Sequence, residues 1–282
     1  MKKGLQRIET AVSAVSLLLV LFLSLFSLGG CRDAAYSEGL AFRSLGDGTC
    51  LLAGIGSCKD AHLEVPPKSP LGDRVVGVAE YAFSGNAELL SVHLPKGLAT
   101  IGAFAFSGCR ALEDVTFEEG LTQIGINAFE SCASLARVVT QGKTKELKVP
   151  VTGAGGEVLY TLEYPMVVFP DSLTQIGDCA FLGCAALPGL LYLEDSLSTV
   201  GSCAFLECGK LQHVYIEGDD LSLGVDVFRG NERLTLGLAA KNPPAGFESG
   251  WDRMHATASY DPHFGVSLQE YVSWFVNRDL NQ

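Results

Sequence analysis

The chain has 282 residues and is 48% hydrophobic and 18% charged, so it can bury a core and is not globally disordered. Its formal net charge is −12, and no basic stripe interrupts the acidic balance. This excludes the usual nucleic-acid-binding proteins, because an acidic surface repels the phosphate backbone.

The N-terminus has the composition of an export signal. Basic residues precede an apolar run at residues 11–28, which is followed by Gly29-Gly30-Cys31. This ending resembles the lipobox of bacterial lipoproteins, which implies that residues 1–30 are removed and that a diacylglyceryl group is attached to Cys31. Residues 31–38 would then be a lipidated tether. The alternative is an uncleaved anchor, because about 18 apolar residues are just long enough to span a membrane.

Residues 39–72 are predicted to form a β-rich N-terminal cap. The turn sequence Gly46-Asp47-Gly48 lies between two apolar segments and predicts a hairpin, and residues 62–66 are predicted to contain the first strand. A cap is needed because the end coil of a solenoid would otherwise expose its core.

A motif recurs along residues 73–240. Its Phe repeats with spacings of 23, 23, 52, 24 and 23 residues, and the long spacing contains an insertion. Each Phe has an aliphatic residue five positions before it, Cys or Asn three positions after it, and Leu three positions further on. Copies in one register indicate stacked coils, because a unit this short cannot bury its own apolar side. The predicted ladder of stacked rings consists of Phe83, Phe106, Phe129, Phe181, Phe205 and Phe228.

Each repeat is also predicted to contain a short strand after its Leu. The residues nine positions after most of the rings are predicted to be the buried positions of the strands, in a column that Gly237 breaks. The column members are Val92, Val115, Val138, Leu190 and Val214. Their neighbours should point outward, because side chains alternate along a strand.

The columns resemble the BspA-type, or treponemal-class, leucine-rich repeat. Residues 121–132 (LTQIGINAFESC) are a close match, and residues 173–184 and 197–208 match as well. The resemblance implies an α/β-type repeat solenoid, with short parallel strands on the concave face and an irregular or short helical convex side. A β-rich N-terminal cap and a C-terminal helix would close its ends.

Residues 140–166 interrupt the repeats. Two segments rich in strand-forming residues flank the glycine-rich stretch at 153–156, which predicts a β-hairpin insertion. The alternative is a degenerate repeat that has lost its Phe.

Residues 241–282 are predicted to form a C-terminal cap and helix. Residues 234–240, 243–247 and 251 resemble the closing segment of the family. Apolar residues at helical spacing between Leu268 and Val276 predict a helix that Ser267 caps and that packs on the last coil. The alternative is a helix that docks a partner.

The cysteines other than Cys31 are predicted to be structural. One repeat column contains Cys or Asn, which indicates buried, unreactive thiols that bond to the backbone; its cysteines are Cys109, Cys132, Cys184 and Cys208. The pairs Cys179 with Cys203, and Cys50 with Cys58, are candidates for disulfides. The cysteine spacing does not match a zinc site, and no hydrolase motif occurs, so no metal, cofactor or enzymatic activity is expected.

These features predict a non-enzymatic lipoprotein at the cell surface or outer membrane, or on the periplasmic face. The resemblance implies protein binding or adhesion, with a host extracellular matrix protein or another cell-surface protein as the partner. A periplasm-facing scaffold and a hydrolase hidden in the insertion or tail are the alternatives. The candidate binding residues are His93, Asp114, Thr116, Arg137, Leu191, His213, Tyr215 and Glu217.

Overall fold

The computed structural model describes residues 36–142, 147–152, 158–231, 234–239, 262–264, 266–268, 270–273 and 276. Strands and turns dominate this part of the chain, and its helical residues are confined to positions 268, 270–273 and 276. Within these same ranges, no helix has the length and apolar character needed to cross a membrane. The export signal, Cys31 and residues 240–251 of the predicted closing segment lie outside the described residues.

Parallel strands contributed by successive coils form a row that we call the front sheet. Its first part comprises β3 (His62–Glu64), β5 (Ser91–His93), β7 (Asp114–Phe117) and β9 (Arg137–Thr140). Its second part comprises β12 (Met166–Val168), β14 (Leu190–Leu193), β16 (His213–Ile216), β18 (Thr235–Leu238) and β19 (Pro262–Phe264). The insertion departs from the solenoid between β9 and β12, where the two parts of the front sheet meet. At this place the Thr140 hydroxyl donates to the Val168 carbonyl at 3.2 Å.

The other side of the coils is also a sheet, of eight strands, which we call the back sheet. In the repeats each strand has two residues: β6 (Thr100–Ile101), β8 (Gln123–Ile124), β13 (Gln175–Ile176), β15 (Thr199–Val200) and β17 (Ser222–Leu223). The predicted α/β character and short helical convex side are therefore wrong, although the stacked parallel strands are present. The reason is coil spacing: strands lie about 4.8 Å apart, whereas packed helices need about 8–10 Å.

Glycine makes this close stacking possible on the back of the coils. A Cβ atom added to Gly125 would lie 2.8 Å from the backbone nitrogen of Ala103 in the preceding coil. Gly177 stands in the same relation to Gly125, with a Cβ distance of 2.7 Å to the backbone. The Ile-Gly pair of the motif is thus set by backbone contact between coils.

The core between the two sheets contains a row of stacked rings. Neighbouring centroids are 5.1–5.9 Å apart, and the rings are within 17° of parallel. The row consists of Phe83, Phe106, Phe129, Phe181, Phe205 and Phe228, each at most 2% exposed. Burying each ring stabilises the fold by about 1.5–3 kcal/mol in transfer free energy.

The cysteine column bonds each coil to the one before it. The four thiols donate to the carbonyl of the Phe in the preceding coil at 3.0–3.2 Å. Asn231 occupies the same position and donates through Nδ2 to the Phe205 carbonyl at 2.8 Å. Burial raises the pKa of Cys109 to about 11 and that of Cys208 to about 12, so both stay protonated at neutral pH.

The two candidate disulfides are not formed in the structure. Cys50 and Cys58 are free and buried, and Cys179 and Cys203 are free and partly exposed.

The cap and the insertion are both hairpins. β1 (Ala41–Ser44) pairs antiparallel with β2 (Thr49–Gly54), and β2 continues into the back sheet through β4 (Arg74–Val78). In the insertion, β10 (Leu147–Thr152) pairs antiparallel with β11 (Val158–Tyr164), which favours the hairpin over a degenerate repeat.

The buried positions of the later front strands differ from those predicted. Leu191, and not Leu190, aligns with Val214 and Val167, and Leu236 aligns with them in place of Gly237. The 24-residue repeat carries its extra residue between Phe181 and β14. The next repeat keeps the usual spacing from Phe205 to Val214, and the last repeat is one residue shorter between Phe228 and Leu236. Because side chains alternate along a strand, a shift of one residue exchanges the inward and outward faces.

The tail lies over the second part of the front sheet. Tyr271, Val272 and Val276 form one buried cluster with outward side chains of the strands: Met166, Val168, Leu190, Tyr192 and Tyr215. The predicted N-cap is present, since the Ser267 hydroxyl accepts from the Glu270 amide at 3.3 Å and the Glu270 carboxylate accepts from the Ser267 amide at 2.8 Å. This reciprocal capping box satisfies free amides of the first helical turn.

Candidate functional site

The outward side chains of the first four front strands form an open polar surface. In β5 and β7 each buried residue lies between half-buried ones, whereas every residue of β14 and β16 is buried. We call this surface the open front face. It comprises His62, Glu64, Ser91, His93, Asp114, Thr116, Glu118, Arg137 and Gln141.

His93 occupies the middle of the open front face and connects three neighbouring coils. Its Nδ1 lies 2.9 Å from the Glu64 carboxylate and its Nε2 lies 3.2 Å from the Glu118 carboxylate. The side chains of His93 and Glu118 are 29% and 25% exposed, so the imidazole is held in place while remaining accessible. This surface therefore presents an ordered ring between two carboxylates.

Two further cross-strand contacts hold the rest of this surface. His62 Nδ1 lies 2.8 Å from the Ser91 hydroxyl. On the other side of His93, the Arg137 guanidinium forms an ion pair with Asp114, which also accepts a hydrogen bond from Thr116 at 3.4 Å. The Arg137 side chain is 63% exposed, so the ion pair contributes little to stability and the guanidinium donors remain accessible from solvent.

The open front face surrounds a shallow hollow of about 230 Å³. Its lining contains carboxylates, imidazoles, hydroxyls, a guanidinium and an amide, spread over four neighbouring strands. These groups can donate and accept hydrogen bonds to a polar peptide surface. Among the described residues, no cluster of His, Cys, Asp or Glu has the arrangement of a metal site.

Four of the predicted binding residues lie together on this surface: His93, Asp114, Thr116 and Arg137. Glu217 is exposed but lies beyond the insertion, where it accepts a hydrogen bond from the Tyr192 hydroxyl. It therefore belongs to the border of the covered half of the front sheet.

Three predicted binding residues are buried, and their expected exposure is wrong. Leu191 is 0% exposed because the register shift turns it into the core. His213 and Tyr215 point outward but are 1% and 3% exposed, because the tail covers them. Tyr215 donates to the Val266 carbonyl at 2.8 Å, and burial raises its pKa to about 12, so the hydroxyl stays a donor.

The surface also contains residues that the sequence prediction missed, namely His62, Glu64 and Gln141. The first two lie on β3, which was predicted as a strand but assigned to the cap. Its parallel pairing with β5 places Glu64 directly beside His93. Extending the alternation of outward residues by one coil would have included His62 and Glu64.

The chain matches a family model described as the BspA type leucine rich repeat region, in six copies over residues 70–150 and 157–237. It is similar to the crystal structure of a leucine-rich repeat protein from T. pallidum, with 25% identity over 83% of this chain and 99% of that chain, and a TM-score of 0.50. A leucine rich cell surface protein from Faecalibacterium prausnitzii is 18% identical over 77% of this chain and 81% of its own, with a TM-score of 0.34. No curated protein sequence matches the chain at a significant level.

Proposed function

The chain belongs to the BspA-type leucine-rich repeat family, and on this premise we propose that it is a non-enzymatic lipoprotein of the cell envelope that binds a partner protein through its open front face. Leucine-rich repeat proteins commonly bind other proteins on the surface that their stacked repeats create. The proposed partner is a host matrix protein or another cell-surface protein, and the proposed anchor is the lipid on Cys31.

The carrying observation is the ordered polar surface around His93. The ring bridges Glu64 and Glu118 across neighbouring strands, so these side chains are already restrained before a partner arrives. Restraint lowers the entropy lost on binding, which favours affinity at a given contact area. The hollow beside these residues provides a concave place for a protruding side chain of the partner.

Site-specific photo-cross-linking on intact cells tests this proposal. A benzophenone amino acid is placed at Thr116, which is half-buried in the middle of the open front face. The matched control carries it at Gln123, which is exposed on the back sheet. We expect a covalent adduct with one protein, identified by mass spectrometry, from position 116 and not from position 123.

A second pair of variants measures the strength of the contact. Thr116→Arg should lower binding of the identified protein at least tenfold by filling the hollow, whereas Gln123→Arg should leave it unchanged. Equal adducts from both positions, or equal affinity of both variants, would refute binding through the open front face. Protease treatment of intact cells separates surface exposure from the periplasmic alternative, because only a surface protein is trimmed.

A further inference from the structure

One column on the surface of the coils has an unusual backbone conformation. Its members stand two positions before each ring of the Phe row, and all have φ between 53° and 58°, in the left-handed region. All six are at least partly exposed. Asn and Asp tolerate this conformation better than other non-glycine residues, and they occupy two of the six positions. This left-handed column consists of Tyr81, Phe104, Asn127, Cys179, Cys203 and Asp226.

The four residues that do not favour this conformation form two pairs on adjacent coils. Tyr81 and Phe104 stack ring on ring, with centroids 4.9 Å apart and planes within 2° of parallel. Side chains of neighbouring coils in this column therefore point the same way and touch. Cys179 and Cys203 are the second pair, which suggests that they too are kept for a contact between coils.

The register of the two coils places these cysteines side by side. β13 pairs with β15 so that Ile176 aligns with Val200, three residues before each cysteine. Phe181 and Phe205, two residues after each cysteine, stack at 5.2 Å. Aligned residues of neighbouring strands lie about 4.8 Å apart, and disulfides bridge Cα atoms about 4.4–6.8 Å apart. The backbone therefore holds the pair at a distance that a disulfide can span.

The two thiols contact each other and remain open to solvent. Both residues are free and partly exposed. Burial raises the pKa of the Cys179 thiol, and the Cys203 thiol raises it further through its charge and a hydrogen bond. The next residues of the column on either side are Asn127 and Asp226, so no other thiol of the left-handed column lies beside the pair. Each thiol thus has one partner in this column.

A second pair of cysteines on the same two coils provides a comparison. Cys184 and Cys208 are also 24 residues apart, but both are 0% exposed. Each thiol donates to a backbone carbonyl, at 3.1 and 3.2 Å. An oxidant cannot reach these thiols, and a disulfide would remove both hydrogen bonds. Of the two pairs, the exposed one is therefore the one that can react.

We propose that Cys179 and Cys203 are a thiol modification site, at which a low-molecular-weight disulfide, RSSR, forms a reversible disulfide between the coils. The thiolate of one cysteine attacks RSSR, forms a mixed disulfide and releases RSH. The second cysteine then attacks the mixed disulfide, closes the bond between the coils and releases a second RSH. The two thiols lose two protons and two electrons in total, and RSSR accepts them. Because the bond stays at the surface, a thiol reductant can reverse both steps.

Oxidised glutathione is the probe, added to the folded full chain after reduction and removal of the reductant. The protein is then denatured in an alkylating agent and cleaved after glutamate. Cleavage at Glu194 and Glu207 separates Cys203 from Cys208. We expect mass spectrometry to find the Cys203 peptide linked to the peptide that contains Cys179, and the Cys208 peptide alkylated.

Two matched variants show which thiol of the linked peptide has reacted, since that peptide also contains Cys184. Cys179→Asn should abolish the link, whereas Cys184→Asn should leave it in place. Asparagine suits both positions, because it occupies the left-handed column at 127 and the cysteine column at 231. Circular dichroism checks the fold of each variant, and fragmentation of the linked peptides locates the bond in the unaltered chain if either does not fold. A link through Cys184 or Cys208, or two unlinked cysteines at 179 and 203, would overturn the proposal.

The bond should also stabilise the coils, because it closes a loop of 24 residues in the unfolded chain. We expect oxidation to raise the thermal midpoint of the unaltered protein by about 5–10 °C and to leave that of Cys179→Asn unchanged. Dithiothreitol added to the folded, oxidised protein should return both thiols and the lower midpoint. A bond that forms only in denaturant, or that dithiothreitol does not reduce in the folded protein, would overturn a reversible surface site.

Discussion

Replacing Phe129 with alanine should cause a large loss of stability that depends on its position inside the ring row. Phe129 is fully buried, with Phe106 and Phe181 stacked on its two faces at 5.1 and 5.2 Å. Phe228 is equally buried but has one stacked neighbour in the row, at 5.9 Å. Truncation of a buried Phe costs about 3–5 kcal/mol, and each aromatic pair adds about 0.5–1.5 kcal/mol.

We therefore expect Phe129→Ala to lower the free energy of unfolding by close to 5 kcal/mol, about 1 kcal/mol more than Phe228→Ala. Urea unfolding followed by circular dichroism measures both values. Gln123→Ala, at an exposed back-sheet position, should change the free energy by no more than about 0.5 kcal/mol. A loss below about 1 kcal/mol for Phe129→Ala, or a larger loss for Phe228→Ala, would refute a continuous ring row as the main stabilising element.

Three further predictions follow from the coil contacts. Burial raises the pKa of Cys109 from 9.0 to about 11, so the contribution of the thiol to stability is present below pH 9 and is lost as the pH rises toward 11. The urea midpoint of unfolding should therefore fall between pH 9 and pH 11. It should fall less in the Cys109→Asn variant, which lacks the thiol. Leu191→Asp should prevent cooperative thermal unfolding. Leu190→Asp should only release the tail, which would be detected as faster hydrogen exchange at residues 270–273. The opposite result would support the register predicted from the sequence. Gly125→Ala should cost about 1–3 kcal/mol in urea unfolding because its Cβ meets backbone, and Gly209→Ala should be neutral; equal effects would contradict close coil stacking.

The comparison of β7 with β14 shows how far pattern alone can place side chains. In β7, regular spacing from the preceding Leu puts Val115 inward and Thr116 outward, and the structure agrees. In β14, the extra residue of the 24-residue repeat could fall at several places in the loop, and each would give the same column of Leu and Val. Pairing with β16 selects Leu191 for the core, because hydrogen bonds between coils fix the register.

The sequence by itself determined the repeating unit, because apolar residues that recur with a period of about 23 residues are buried when the coils stack. The Phe row, the cysteine column and the capping signal of the tail are all local or periodic, so they can be read from residue order. Only the tertiary structure decided which outward residues remain accessible. Burial of His213 and Tyr215 depends on a segment about 50 residues further along the chain, and periodicity carries no information about where such a segment lies.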